Sequence, residues 1–221
     1  AGSVVLLILH LGTAIPNVKI AIDSSVVDPG ADDGEIIVYG PNVMKGYHNK
    51  PEATAAVMTA DGGFRTGDRG KLDEDGFLQV TGRIKEQYKL LNGKYVFPGS
   101  IEEDIKLIPY VANAMIYGEG REFNICLVVP DFEVLARHAE KEGLPAAPDA
   151  LVADEGVRRM ISDSIAEALQ GNYGSYEIPR KFVFLAEDFT LDNGMLTQTL
   201  KLKRRVVVDR FIGEIESQYQ G

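Results

Sequence analysis

The spacing of apolar residues changes along this chain, and that change restricts the fold more than any other feature. In NVKIAID (17–23), Val18, Ile20 and Ile22 alternate with polar neighbours, as in a strand with one buried face. After the turn-forming PGADDG (29–34) comes EIIVYG (35–40), and the two strands are expected to pair as a hairpin. KPEATAAVMT (50–59) reads as a short helix, because Pro51 suits a first helical turn. KLDEDGFLQVTGR (71–83) reads as another hairpin, with Asp75-Gly76 as its tight turn.

From about Ser100 the period lengthens. IEEDIKLI places Ile101, Ile105 and Ile108 at helical spacing, with Ser100 as the expected N-cap. DFEVLARHAEKEG (131–143) reads as a helix from Asp131 to Gly143. In VRRMISDSIAEALQG (157–171), Val157, Met160, Ile161, Ile165, Ala168 and Leu169 share one helical face, and Gly171 ends it. ANAMIYG (112–118), FNICLVVP (123–130) and KFVFLA (181–186) read as strands, and a helical pattern runs from about Leu202 to Tyr219. The expected fold class is therefore α+β: a small β-rich subdomain over residues 1–84, then an α+β domain over 85–221, with the junction near Arg83 to Glu86.

The apolar run VVLLIL (4–9) reads as a buried strand. It is shorter than the roughly 20 residues of a membrane span and lacks a signal peptide's basic flank. Its place near the start suggests that further sequence lies upstream. A net charge of −10 excludes a nucleic-acid wrapper, which needs a basic footprint. The one cysteine, Cys126, cannot form an internal disulfide and sits in an apolar run, so an inert buried thiol is expected. His10, His48 and His138 lack ligand spacing, and no metal-site, nucleophile-elbow or phosphate-loop signature is present.

Three local patterns could carry chemistry. Asp68 lies in RTGD (65–68) at what reads as a glycine turn, where a carboxylate can accept two hydroxyl hydrogen bonds such as those of a ribose. Taken alone, an aspartate capping its own turn is the simpler reading. Arg83 follows Gly82 at a strand end and could reach the same ribose or a phosphate; alone, a surface ion pair explains it as well. LTQTLKLKRR (196–205) could hold Lys201 on a turn towards a phosphoryl group, or simply form a solvated basic face.

Taken together and in order, GEIIVYGPNVMKGYHNKPEAT, DGGFRTGD, GFLQVTGRIKEQYKLLNGKYVFPGSIE and LDNGMLTQTLKLKRR resemble the C-terminal part of an adenylate-forming enzyme. NGKYVFP and LTQTLKLKRR are most similar to the long-chain fatty acyl-CoA synthetase branch. The resemblance implies a mobile C-terminal domain that rotates between two half-reactions. In the first a carboxylate attacks the α-phosphorus of ATP; in the second the thiol of coenzyme A displaces AMP. It implies that Lys201 is catalytic in adenylation, that Asp68 and Arg83 hold the AMP ribose, that Lys85 is the hinge, and that Asn92, Gly93 and Lys94 form the loop used in the coenzyme A step. ATP, Mg2+ and coenzyme A are implied for the whole enzyme, and fatty acid, ATP and coenzyme A as its substrates. The phosphate loop and the acyl pocket would lie upstream, in an N-terminal domain that acts as partner to this one. A cytoplasmic location follows, with peripheral membrane contact left open. Alternatives are an adenylation domain serving a carrier-protein thiol, or a non-catalytic binding module. Two departures stand out: Thr199-Leu200-Lys201 replaces the common Ser-Gly-Lys, and Gln198 stands where long-chain relatives often have proline.

Overall fold

A computed structural model describes residues 12–27, 31–142 and 146–220. The VVLLIL segment, His10, Pro29 and Gly30 of the first turn, and the expected stop at Gly143 lie outside the described residues. The chain divides into two units, Ala1–Gln87 and Tyr88–Gly221.

In the first unit, β1 (Lys19–Asp23), β2 (Gly34–Tyr39), β3 (Phe64–Leu72) and β4 (Leu78–Arg83) form an antiparallel sheet in chain order. The β1–β2 hairpin appears as the alternation predicts. Between β2 and β3, helix α1 (Pro51–Val57) starts with proline in its first turn. The loop after β3 is wider than a two-residue turn: Leu72 pairs with Leu78, and the Asp73 carboxylate accepts the N–H groups of Asp75 and Phe77.

The β1–β2 register sets Asp23 directly opposite Glu35. Like charges so placed repel. Arg65, on β3, resolves the conflict by donating to Glu35 at 2.6 Å and pairing with Asp23 at 3.1 Å. The hydroxyl and N–H of Ser25, and then Arg65, hold the Asp23 carboxyl below its ordinary value.

The second unit is built on a three-stranded sheet. β5 (Tyr88–Lys89) and β6 (Tyr95–Val96) form a small hairpin leading into α2 (Pro98–Lys106). β7 (Val111–Tyr117) pairs antiparallel with β8 (Ile125–Pro130), and β8 pairs parallel with β9 (Lys181–Phe184). The crossover between β8 and β9 contains α3 (Phe132–Glu142), α4 (Pro148–Ala153) and α5 (Glu155–Leu169). After β9 come α6 (Arg204–Arg210) and α7 (Ile212–Ser217).

Alternation along these strands produces two cores. Ile116, Cys126 and Val128 pack with α2 and α5 through Ile101, Ile105, Val157, Ile161 and Ile165. Met115, Ile125, Leu127 and Val183 pack with Val207, Phe211 and Ile215 of the last two helices. Burial pushes the Cys126 thiol well above its usual range, as expected of an inert thiol.

Three sequence expectations change in detail. α2 starts two residues before Ser100, with Pro98 in its first turn; Ser100 donates back to the Phe97 carbonyl instead of capping the helix. Ala168 is exposed, while Val157, Ile161, Ile165 and Leu169 are buried. The C-terminal helical pattern is kinked at Phe211, whose side chain is buried while bonds from Phe211 N–H to Val207 and from Ile215 N–H to Phe211 continue across the bend.

The depressed Asp23 carboxyl sets a pH dependence. Its contribution is complete above its ordinary value of 3.8 and is lost as pH falls through the lower folded value. Asp23→Asn should therefore reduce the acid sensitivity of the first unit by under about 1 kcal/mol, read as a smaller loss of urea midpoint between pH 5 and pH 3.

Candidate functional site

The residues singled out in the sequence fall on three turns or strand irregularities, in two separate units. In the first unit, Asp68 is not on a turn. It lies within β3, where Glu35 pairs with Arg69 and Ile37 with Arg65, so β3 bulges between those pairs. Gly67 makes the bulge feasible through its positive φ of 72°. The Gly67 N–H donates to Glu35 at 3.2 Å, and the Thr66 hydroxyl donates to the Ile36 carbonyl at 2.9 Å. The β3–β4 register then sets Asp68 opposite Arg83, and their side chains pair at 2.9 Å. Both keep solvent access, with side chains 32% and 56% exposed, so the carboxylate retains free acceptor positions. Lys85 follows in a one-turn 3-10 helix (Ile84–Glu86) and is exposed.

In the second unit, Asn92, Gly93 and Lys94 form the tip of the β5–β6 hairpin, and all three are exposed. The Asn92 side chain accepts from the Lys94 N–H at 3.0 Å, and Gly93 N–H donates to the Leu90 carbonyl at 2.9 Å. Gly93 has φ 84° and open space where a Cβ would stand. The Lys94 ammonium lies 5.7 Å from the Tyr176 ring centre.

Lys201 is exposed at the end of a separate tight turn, ahead of α6 rather than within it. Thr197 closes this turn: its N–H donates to the Lys201 carbonyl at 2.8 Å, and its hydroxyl accepts the Lys201 N–H at 3.0 Å. Leu196 and Leu202 bridge at its base. Closure forces Leu200 to φ 58°, with 69% of its surface exposed. Glu102, read in the sequence only as part of the α2 helix, is buried and grips Arg204, three residues beyond Lys201. His48 is exposed and lies beside Asn49, and the side chain of His138 is outside the described residues. No group of three or more His, Cys, Asp or Glu among the described residues is placed to hold a metal ion. No described helix is long and apolar enough to cross a membrane.

Residues 85–221 match the family described as AMP-binding enzyme C-terminal domain. The chain belongs to that family. A long-chain-fatty-acid–CoA ligase, FadD15 of Mycobacterium tuberculosis, is 37% identical over 86% of the chain and 32% of its own length. Human long-chain-fatty-acid–CoA ligase 1 is 33% identical over 95% of the chain and 31% of its own. The AMP-binding enzyme C-terminal domain and the segment before it thus span about a third of these relatives. Among solved structures, the adenylation domain of a carboxylate reductase from Mycobacterium chelonae matches with TM-score 0.71 and 28% identity, over 93% of this chain and 32% of that one. MatB from Rhodopseudomonas palustris, solved with ATP bound, matches with TM-score 0.59 and 26% identity, over 91% and 35%. The mixed fold is that of the acyl-adenylate-forming superfamily, and the curated relatives are acid–thiol ligases.

A leucine in left-handed backbone is strained by about 1–2 kcal/mol, against about 0.5–1 kcal/mol of lost chain entropy for glycine. Leu200→Gly should therefore leave the stability of the chain unchanged or raise it by up to about 1 kcal/mol, measured by urea unfolding. A fall would show that the leucine side chain contributes more contact than its exposure indicates.

Proposed function

We propose that this chain is the C-terminal part of an ATP-dependent long-chain fatty acid–CoA ligase, covering residues 1–84 at the end of a large N-terminal region and a lid domain over 85–221. The observation that carries this reading is the identity to long-chain-fatty-acid–CoA ligases of bacteria and mammals, which extends across both units.

In the first half-reaction the carboxylate oxygen attacks the α-phosphorus of ATP, and pyrophosphate leaves. Negative charge gathers on the equatorial oxygens, and the Lys201 ammonium neutralises it. Its exposure on a closed turn fits a group that must enter a site built largely elsewhere. Asp68 accepts the two ribose hydroxyls while Arg83, opposite it on β4, holds the carboxylate in place. In the second half-reaction the coenzyme A thiol attacks the acyl carbon and AMP leaves. The Asn92, Gly93 and Lys94 tip then faces the site, where the bare Gly93 backbone lets the pantetheine arm approach. Lys85, on its short helical turn, is the pivot between the two positions.

A carrier-protein thiol as acceptor is the second reading. It is favoured by the TM-scores of 0.71 and 0.70 to carboxylate reductase adenylation domains, one of them solved as an A-PCP didomain with AMP. Loading of a carrier protein with no turnover of free coenzyme A would select it.

Lys201→Ala in the enzyme that carries this chain should lower carboxylate-dependent ATP–pyrophosphate exchange by about 100- to 1000-fold. Thioester formation from preformed acyl-adenylate should change little. The 221-residue chain alone should show no exchange; robust exchange from it would overturn the reading.

A further inference from the structure

The geometry points to Glu102 as a positioning residue for Lys201, acting by clamping Arg204 across the open edge of the second unit's sheet. This inference rests on the adenylation role proposed for Lys201.

β7 is an edge strand, and α2 and α6 lie on opposite faces of the sheet it borders. Glu102 extends from α2 and Arg204 from the first residue of α6, and they meet at the β7 edge beside Ile116. One Glu102 oxygen accepts the Ile116 N–H at 2.7 Å and an Arg204 guanidinium N–H at 2.7 Å. The other accepts a second guanidinium N–H, making the pair bidentate. Glu102 is only 6% exposed. It satisfies an N–H that an edge strand would otherwise leave unpaired, and it staples one face of the sheet to the other.

This pair supplies what the Lys201 turn cannot make for itself. The shape of the turn is local, set by Thr197 and by the Leu196–Leu202 bridge. Its attachment to the body of the domain comes through Leu196 and Leu202, packed against the second core, through the Leu196 N–H on the Thr190 carbonyl at 3.0 Å, through buried Met195, which accepts from the Lys203 N–H at 2.8 Å, and through Arg204, the one of these held by a side-chain ion pair. Loosening Arg204 would leave a well-shaped turn aimed poorly. A misplacement of about 1 Å at a reacting group can lower a rate about 100-fold. The Asn92, Gly93 and Lys94 tip is held by its own hairpin bonds and does not involve Arg204.

The test uses the whole enzyme and measures the half-reactions separately. Glu102→Gln should lower kcat for ATP–pyrophosphate exchange about 10- to 100-fold, with KM for ATP and carboxylate within about threefold. Thioester formation from preformed acyl-adenylate should stay within about threefold. The double variant Glu102→Leu with Arg204→Met replaces the buried pair by apolar groups, a change that often preserves stability. It should unfold at or above the wild-type temperature yet remain slow in exchange. In a Lys201→Ala background, Glu102→Gln should have no further effect. Wild-type exchange by either Glu102 variant, or an equal fall in both half-reactions, would overturn the positioning role. Wild-type exchange by Lys201→Ala would overturn the functional reading itself and this inference with it.

Discussion

Strand β8 is buried along its whole length, and the organisation of the second unit follows from that. A strand with both faces apolar needs cover on both sides. The parallel crossover to β9 supplies one side through α5, joined by α2 from before the sheet. The other side stays bare until the chain returns after β9, where α6 and α7 close it with Val207, Phe211 and Ile215. Lys201 precedes this last cover. Its turn is placed by the need to bring α6 onto the open face, so an exposed lysine is attached to a helix whose Val207 is fully buried.

The first unit shows the same relation between constraint and placement. Pairing β1 with β2 sets two carboxylates face to face, and Arg65 is drawn in to separate their charge. Glu35 then also accepts the Gly67 N–H, which supports the bulge that carries Asp68. A charge conflict in one strand pair thus contributes to the backbone irregularity that turns Asp68 towards Arg83.

Much of this was legible from spacing. Alternation located the strands because one or both faces are buried, and helical spacing located α2 and α5 because tertiary packing agrees with local preference. The kink at Phe211 was not legible, since hydrogen bonds run across it and the pattern is unbroken. The bulge at Asp68 read as a turn because Gly67 suits both, and only pairing with β2 decides between them. Glu102 was hidden for a different reason. In IEEDIKLI it looks like one of three solvated acids, and its burial depends on an arginine far along the chain and on an edge N–H that no local pattern reveals.

The Lys201 turn breaks a local rule, and the break is informative. A bulky residue at positive φ persists where surrounding structure over-determines it. Here Thr197 closes the turn on both sides of Lys201 while Arg204 and Met195 fix its base, so Leu200 has no other conformation to adopt. Glycine would remove the strain but would also widen the range of conformations open to the residue before the lysine. The strained leucine and the buried ion pair act in the same direction: both restrict where an exposed ammonium can point. In the adenylation role proposed for Lys201, such an ammonium gains little from attraction unless it arrives already oriented.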